Sequence, residues 1–388
     1  MNIVTNSPIV IAVALFVLSG YPHQVSADSR QIQHAKSAVA IGMKPIVKSA
    51  ASYVEQKKCF TCHHQALPVM AAVRAEAIGV KADRHWLETQ RKFTADFFLE
   101  RKAELKKGQG VPGGAFTAGY ALAQLITTSQ ITNVEAIDSA DRPGATNELL
   151  EYLLKIYEPV RPWKINTIRP PLESSDFTAT GLAIAALSYY ELSELIKHVD
   201  EVRIWYENTN ADSGEDRAFQ LLGWYWLTNA QYRAHVSSKV PDLLSTREFF
   251  GNQNVWRKEG GYSRFKSDKT RLQEMIHQLK QRQAEDGGWA QNDKMKSDAY
   301  ATGLIMTALS MVQPEVVREK WYLRGVEYLL DTQKKDGTWH VLTRSKPIQE
   351  YFESDFPHGE DQFISISASC WSVIALSQYV HLRLNTEK

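Results

Sequence analysis

Residues 324–339 read RGVEYLLDTQKKDGTW, an amphipathic stretch that stops at Asp336 and Gly337 and ends on Trp339. Earlier in the chain, residues 283–289 read QAEDGGW, with Gln, Asp, Gly and Trp in matching places. A glycine after a helix takes the left-handed cap conformation at little steric cost. The Gln and Trp can then lock the turn against the neighbouring unit. After these turns come stretches of small and apolar residues with almost no charge: SDAYATGLIMTAL at 297–309 and ISASCWSVIAL at 366–376, with SDFTATGLAIAAL at 175–187 as a third copy. Such a composition predicts helices buried on all sides.

Weaker copies fill the gaps: CHHQALPVMAAV at 62–73, FTAGYALAQL at 116–125 and RAFQLLGWYWL at 217–227. The pattern predicts buried helices near residues 64–77, 116–128, 177–190, 217–229, 298–311 and 364–379. Each follows a charged amphipathic helix, as at 83–107, 147–157, 270–282 and 314–332. Outer and inner helices alternating at a fixed period predict a closed toroid. Strand signals are absent. The expectation is an all-α chain of six outer and inner helix pairs, with 28–388 as one domain.

These helix-Gln-x-x-x-Gly-x-Trp units resemble the QW repeats of the squalene-hopene cyclase and prenyltransferase superfamily. The resemblance covers roughly residues 36–380 and implies an (α/α)6 toroid around a central cavity. It does not extend to that superfamily's chemistry. The cyclase DxDD run and the DDxxD magnesium motif are missing, and Asp298 is followed by Ala299 and Tyr300, not by the Asp-x-Cys of a prenyltransferase zinc site.

Of 388 residues, 44% are hydrophobic and 23% charged, as in a globular protein. The 45 basic and 44 acidic residues leave a charge of +1, which supports no broad grip on nucleic acid. Residues 9–18 form an unbroken apolar run, followed by Ser19, Gly20 and Val25-Ser26-Ala27. This order reads as a signal peptide over 1–27 and predicts an exported chain, periplasmic or extracellular. No Lys or Arg precedes the run. At about half the roughly 20 residues needed to cross a bilayer, it predicts no permanent membrane span.

Three cysteines are too few for a disulfide scaffold, and two of them sit in CFTCHH at 59–64. Cys59, Cys62 and His63 match C-x-x-C-H, the attachment site of c-type haem. Two thiols at this spacing reach the two vinyl groups of the porphyrin, and the next imidazole reaches iron. The expectation is one covalent haem c with His63 proximal and His358 or Met70 distal. A Cys59–Cys62 disulfide, a redox pair or half of a zinc site are the alternatives. In the repeat alignment Cys62-His63 falls where other units carry Ser175-Asp176, Glu215-Asp216, Ser297-Asp298 and Asp361-Gln362. These positions start inner helices and should ring one mouth. Asp176, Asp298 and Asp361 are therefore candidate catalytic acids, although Ser and Asp there also serve as helix caps.

The sequence thus predicts an exported haem protein on a cyclase-like toroid. Its expected role is electron transfer to a partner protein, or haem-dependent oxidation of an apolar substrate in the central cavity. The alternative is a haem-free cyclase-like or isoprenoid-binding protein with a Cys59–Cys62 disulfide. Whether it is an enzyme stays open at this point.

Overall fold

The computed structural model describes residues 27–132, 142, 144–236, 263–347 and 350–385. The expected signal peptide lies outside these residues, apart from Ala27.

Outer and inner helices alternate along the chain. Helix α1 (Ala27–Gln56) leads through a π-helical turn at Cys62–Ala66 into α2 (Leu67–Glu76). Then α3 (Arg84–Leu99) and the short α4 (Lys102–Lys106) lead to α5 (Ala115–Thr132). Helix α6 (Thr146–Lys155) precedes α7 (Asp176–Tyr190), and α8 (Leu192–Asn208) precedes α9 (Gly214–Val236). Helix α10 (Ser263–Gln281) precedes α11 (Ala299–Val312), and α12 (Lys320–Thr332) precedes α13 (Gln362–Asn385). The inner helices touch in the order α2, α5, α7, α9, α11, α13 and back to α2, which closes the ring.

Patterning explains the two layers. Helices α7 and α11 are buried along almost their whole length and carry no charge beyond Asp176 at the start of α7. Helix α12 buries only Tyr322, Gly325, Val326 and Leu329, one stripe at helical spacing. Each fully buried leucine or valine on such a stripe contributes about 1.5–3 kcal/mol.

The turns key each pair to the next. Gln283 Nε2 donates to the carbonyls of Gly287 and Trp321, each at 2.7 Å, and Trp289 Nε1 donates to Leu279 O at 2.8 Å. Gln333 Nε2 donates to Gly337 O at 3.0 Å and Ala38 O at 2.9 Å, while Trp339 Nε1 reaches Leu329 O at 2.7 Å. Ala38 belongs to α1, so the last turn docks on the first outer helix. Gly287 and Gly337 have φ of +87° and +90°. A Cβ on either would come within 2.7 Å of a backbone oxygen, that of Arg324 or Ile41 respectively. Only glycine meets both demands. Trp163 repeats the lock, donating from Nε1 to Leu153 O at 2.9 Å, without the Gly-x-Trp signature.

Three local features depart from expectation. The outer stretch 83–107 breaks after Leu99, giving α3 and α4. A two-residue antiparallel pair, Trp289–Ala290 with Ser297–Asp298, forms where no strand was expected. The segment Gly359–Asn385 is long and apolar enough to cross a membrane, yet 94% of its apolar window is buried among the other helices.

Candidate active site

The N-terminal ends of the inner helices gather at one mouth of the ring. There the chain places Cys62 and His63 before α2, Tyr120 in α5, Thr178 in α7, Glu215 in α9, and Asp298 and Tyr300 at the start of α11.

Glu215 is the centre of this group. Its side chain is buried, and it accepts hydrogen bonds from Tyr300 Oη and Thr178 Oγ1, both at 2.7 Å. Burial pushes its carboxyl up to about 8, against the pull of those two hydroxyls and of the nearby Arg344 charge. At neutral pH Glu215 therefore carries a proton. Asp298 accepts from Ala301 N at 2.9 Å and so caps α11, as its position predicts. Its second oxygen is buried without a hydrogen-bond partner among the described residues. Burial raises its carboxyl to about 6, opposed chiefly by the Ala301 N–H. The Tyr120 hydroxyl, fully buried, likewise lacks a partner. Two buried polar groups left open in one place cost about 1–3 kcal/mol each unless something polar completes them.

The CFTCHH segment forms one wall. Thr61 and Gln65 cap the π-helical turn reciprocally: Thr61 Oγ1 accepts from His64 N, and Gln65 Oε1 accepts from Thr61 N at 2.9 Å. π-Helical turns concentrate at functional sites. His64 is fully buried and stacks on Tyr53 at 4.7 Å. The His63 ring packs on His64 at 4.8 Å and on Phe363 at 5.3 Å. Burial, helped by the Arg169 charge, lowers His63 to about 3, and burial pushes the Cys62 thiol up. Both are neutral at pH 7, which leaves His63 a poor base and Cys62 a poor nucleophile.

This geometry does not match haem attachment. Both thiols would have to meet one porphyrin edge, with the imidazole open toward iron. Instead Cys59 is exposed, 3.1 Å from Tyr53 Oη, while Cys62 is buried with its sulfur 3.8 Å from His63 Nδ1. The expected distal ligands are elsewhere. Met70 lines an apolar cavity deeper in the ring. His358 packs in an outer turn, bonded to Thr338 Oγ1 at 2.7 Å and stacked on His340 at 4.4 Å. Among the described residues, no group of three or more His, Cys, Asp or Glu is placed to hold a metal ion. Cys59 and Cys62 are free thiols, so the disulfide offered as an alternative to haem attachment is not formed here.

Of the three candidate acids, Asp298 alone joins Glu215. Asp176 is held by Arg161 and by Ile165 N at 2.9 Å. Asp361 binds His340 Nε2 at 2.8 Å and Thr343 N at 2.7 Å. Glu215, Tyr300 and Tyr120 were not singled out from sequence. The available signal was a glutamate where the best repeat copies carry serine, at the head of an inner helix.

Comparison with solved structures fixes the architecture. A protein from Salmonella enterica subsp. enterica serovar Paratyphi A matches 97% of this chain and 100% of its own, with a TM-score of 0.53 and 12% identity. The shared fold is the α/α toroid. That protein is described as a possible member of the GH105 family, a glycoside hydrolase family. At this identity the likeness speaks for fold alone. No family model matches the sequence, and no curated protein matches it either.

These findings correct the functional expectation. A haem protein in electron transfer or substrate oxidation is overturned by the packing around Cys59, Cys62 and His63, and the neighbour's description as a possible GH105 member lends it no support. The cyclase-like or isoprenoid-binding alternative is not supported either. The apolar centre adds a physical reason, since its cavity measures about 20 Å³, room for about one water.

Proposed function

We propose that this protein is a carbohydrate-active hydrolase in which Glu215 is the general acid and Asp298 the general base. The observation that carries the reading is a pair of carboxyl groups at one mouth whose surroundings separate their acidities, to about 8 and about 6. Between those values Glu215 holds a proton and Asp298 does not, which is the division of labour glycosidic hydrolysis requires. Glu215 gives its proton to the oxygen of the scissile bond. Asp298 takes a proton from the water that attacks the anomeric carbon. One C–O bond breaks, one forms, and one water is consumed. The open hydroxyl of Tyr120 and the free oxygen of Asp298 suit a hydroxyl-rich ligand. The GH105 description of the toroidal neighbour favours the same substrate class.

Two finer readings accompany this one. The Gln and Trp locks support common ancestry with the squalene-cyclase superfamily, as a statement of lineage and not of chemistry. The apolar run at 9–18 supports export, where polysaccharide is met.

The test is release of new reducing ends from a panel of plant and bacterial oligosaccharides and polysaccharides. Turnover by the wild type, lost in Glu215→Gln and reduced in Asp298→Asn with both variants folded, is the expected result. Turnover that survives Glu215→Gln would overturn the assignment.

A further inference from the structure

Two loops meet over the mouth. The connection between α12 and α13 begins on α13 itself: Val341 N donates to Ser365 Oγ at 3.1 Å, and Thr343 N to Asp361 Oδ1 at 2.7 Å. It then leaves that helix. Arg344 Nε donates to Gln291 Oε1 at 2.7 Å, in the loop before α11. Ser345 Oγ donates to Pro170 O at 2.6 Å, in the loop before α7. By Phe352 the chain is back against α13, where Gln362 Nε2 donates to its carbonyl at 2.8 Å.

The ring order makes this contact unusual. With inner helices in the sequence α2, α5, α7, α9, α11, α13, helix α7 stands opposite α13. Residues 343 and 345 are at most about 7 Å apart along the chain, so the loop before α7 must lean inward for the remaining distance. That loop is stiff. Arg169 and Glu173 form a salt bridge and exchange backbone hydrogen bonds, and Thr167 Oγ1 donates to Glu173 at 2.8 Å. The Arg169 charge acts on both His63 and Cys62, and the Arg344 charge on both Glu215 and Asp298. The arch therefore runs close to the acid–base pair and the CFTCHH wall.

We propose that residues 343–345, tied to Pro170 across the mouth, set the size of the substrate. An arch anchored on opposite sides of the ring admits a short oligosaccharide or a chain end. It excludes the interior of a polymer, which would need a groove open at both ends. Ser345 is the specificity-determining residue and touches none of the reacting groups. The substrate class in this proposal rests on the hydrolase reading above, whereas the arch itself does not.

The arch is tested without turnover through Cys62, which is buried beneath its Pro170 end, in a Cys59→Ser background with buried Cys370 as internal control. Labelling with N-ethylmaleimide is followed by mass spectrometry. Losing the Ser345 hydrogen bond in Ser345→Ala is expected to speed Cys62 labelling about fivefold. Adding Arg344→Gln should speed it further, while Cys370 stays protected and the circular dichroism is unchanged. A bulky polyethylene glycol maleimide should gain more than the small reagent. On carbohydrate, Ser345→Ala should raise cleavage of polymer relative to tetrasaccharide. Equal Cys62 rates in the parent and both variants would overturn the arch, even if carbohydrate is cleaved. Faster labelling in a protein that cleaves no carbohydrate would uphold the arch and discard the hydrolase reading.

Discussion

The same six inner helices build two very different halves of one barrel. At the mouth their N-terminal ends present Glu215, Asp298, Tyr120, Tyr300, Cys62 and His63, several of them buried and two with open hydrogen-bonding atoms. Deeper in the ring the same helices contribute Met70, Leu182, Phe219, Trp226, Trp371 and Ile374 around a narrow apolar cavity. The deep half is lined mostly by apolar side chains, with Arg74, Thr127 and Thr307 among them, and burial of that apolar surface stabilises the ring. The mouth leaves polar groups unsatisfied and holds a carboxyl far from its ordinary acidity. That contrast separates what holds the toroid together from what it is built to do.

Substitutions and titrations bear on this contrast, and the first should have the largest effect. Glu215→Gln keeps the shape and one accepting oxygen but removes the transferable proton. Steady-state hydrolysis should fall on the order of a thousandfold or more, within the range of general acid catalysis combined with its positioning. A matching loss on Leu182→Ala, per folded molecule, would erase the distinction between the halves. Leu182→Ala should instead cost about 3 kcal/mol of stability, measured by urea unfolding, because it opens a cavity that the surrounding helices cannot refill.

The dependence on pH sharpens the division within the mouth. Asp298 must lose its proton and Glu215 must keep its own, so kcat/KM should rise through about pH 6 and fall through about pH 8. In Asp298→Asn the acid limb should vanish from the residual activity. Stability carries a signature of Glu215 as well. Glu215 has a folded value of about 8, above its ordinary 4.5, so the native state binds the extra proton between those values. Its contribution to stability is intact below pH 4.5 and is lost as pH rises toward 8. Urea midpoints measured across that window should decline in the wild type and flatten in Glu215→Gln. The smallest effect belongs to the ring closure: Gln333→Ala removes two hydrogen bonds to backbone carbonyls and should cost about 1–2 kcal/mol in unfolding, with activity unchanged.

The two halves also differed in how openly the sequence displayed them. The toroid was readable because its signals are local and repeated. Asp336-Gly337-Thr338-Trp339 and Asp286-Gly287-Gly288-Trp289 mark turns, and uncharged stretches such as 297–309 mark inner helices. The mouth was readable only as a set of positions. Asp176, Asp298 and Asp361 occupy equivalent places in the repeat, yet partners far away in the chain decide their fates. Arg161 neutralises Asp176 and His340 engages Asp361, which leaves Asp298 open. Glu215 acquires its role from Tyr300, 85 residues away, and from burial that no local pattern reports. The C-x-x-C-H spacing of Cys59, Cys62 and His63 is a strong motif by statistics. Here it serves a capped π-helical turn whose imidazoles are packed between Tyr53 and Phe363.

The protonation of Glu215 at neutral pH is the property on which the mouth's chemistry depends. Infrared difference spectra recorded across a pH titration read it directly, through the carbonyl stretch of a protonated carboxylic acid. A band that persists at pH 7, disappears with a midpoint near 8 and is missing in Glu215→Gln is the predicted result. A spectrum in which the Glu215 band is already gone above pH 5 would contradict it, since an ionised Glu215 has no proton to give.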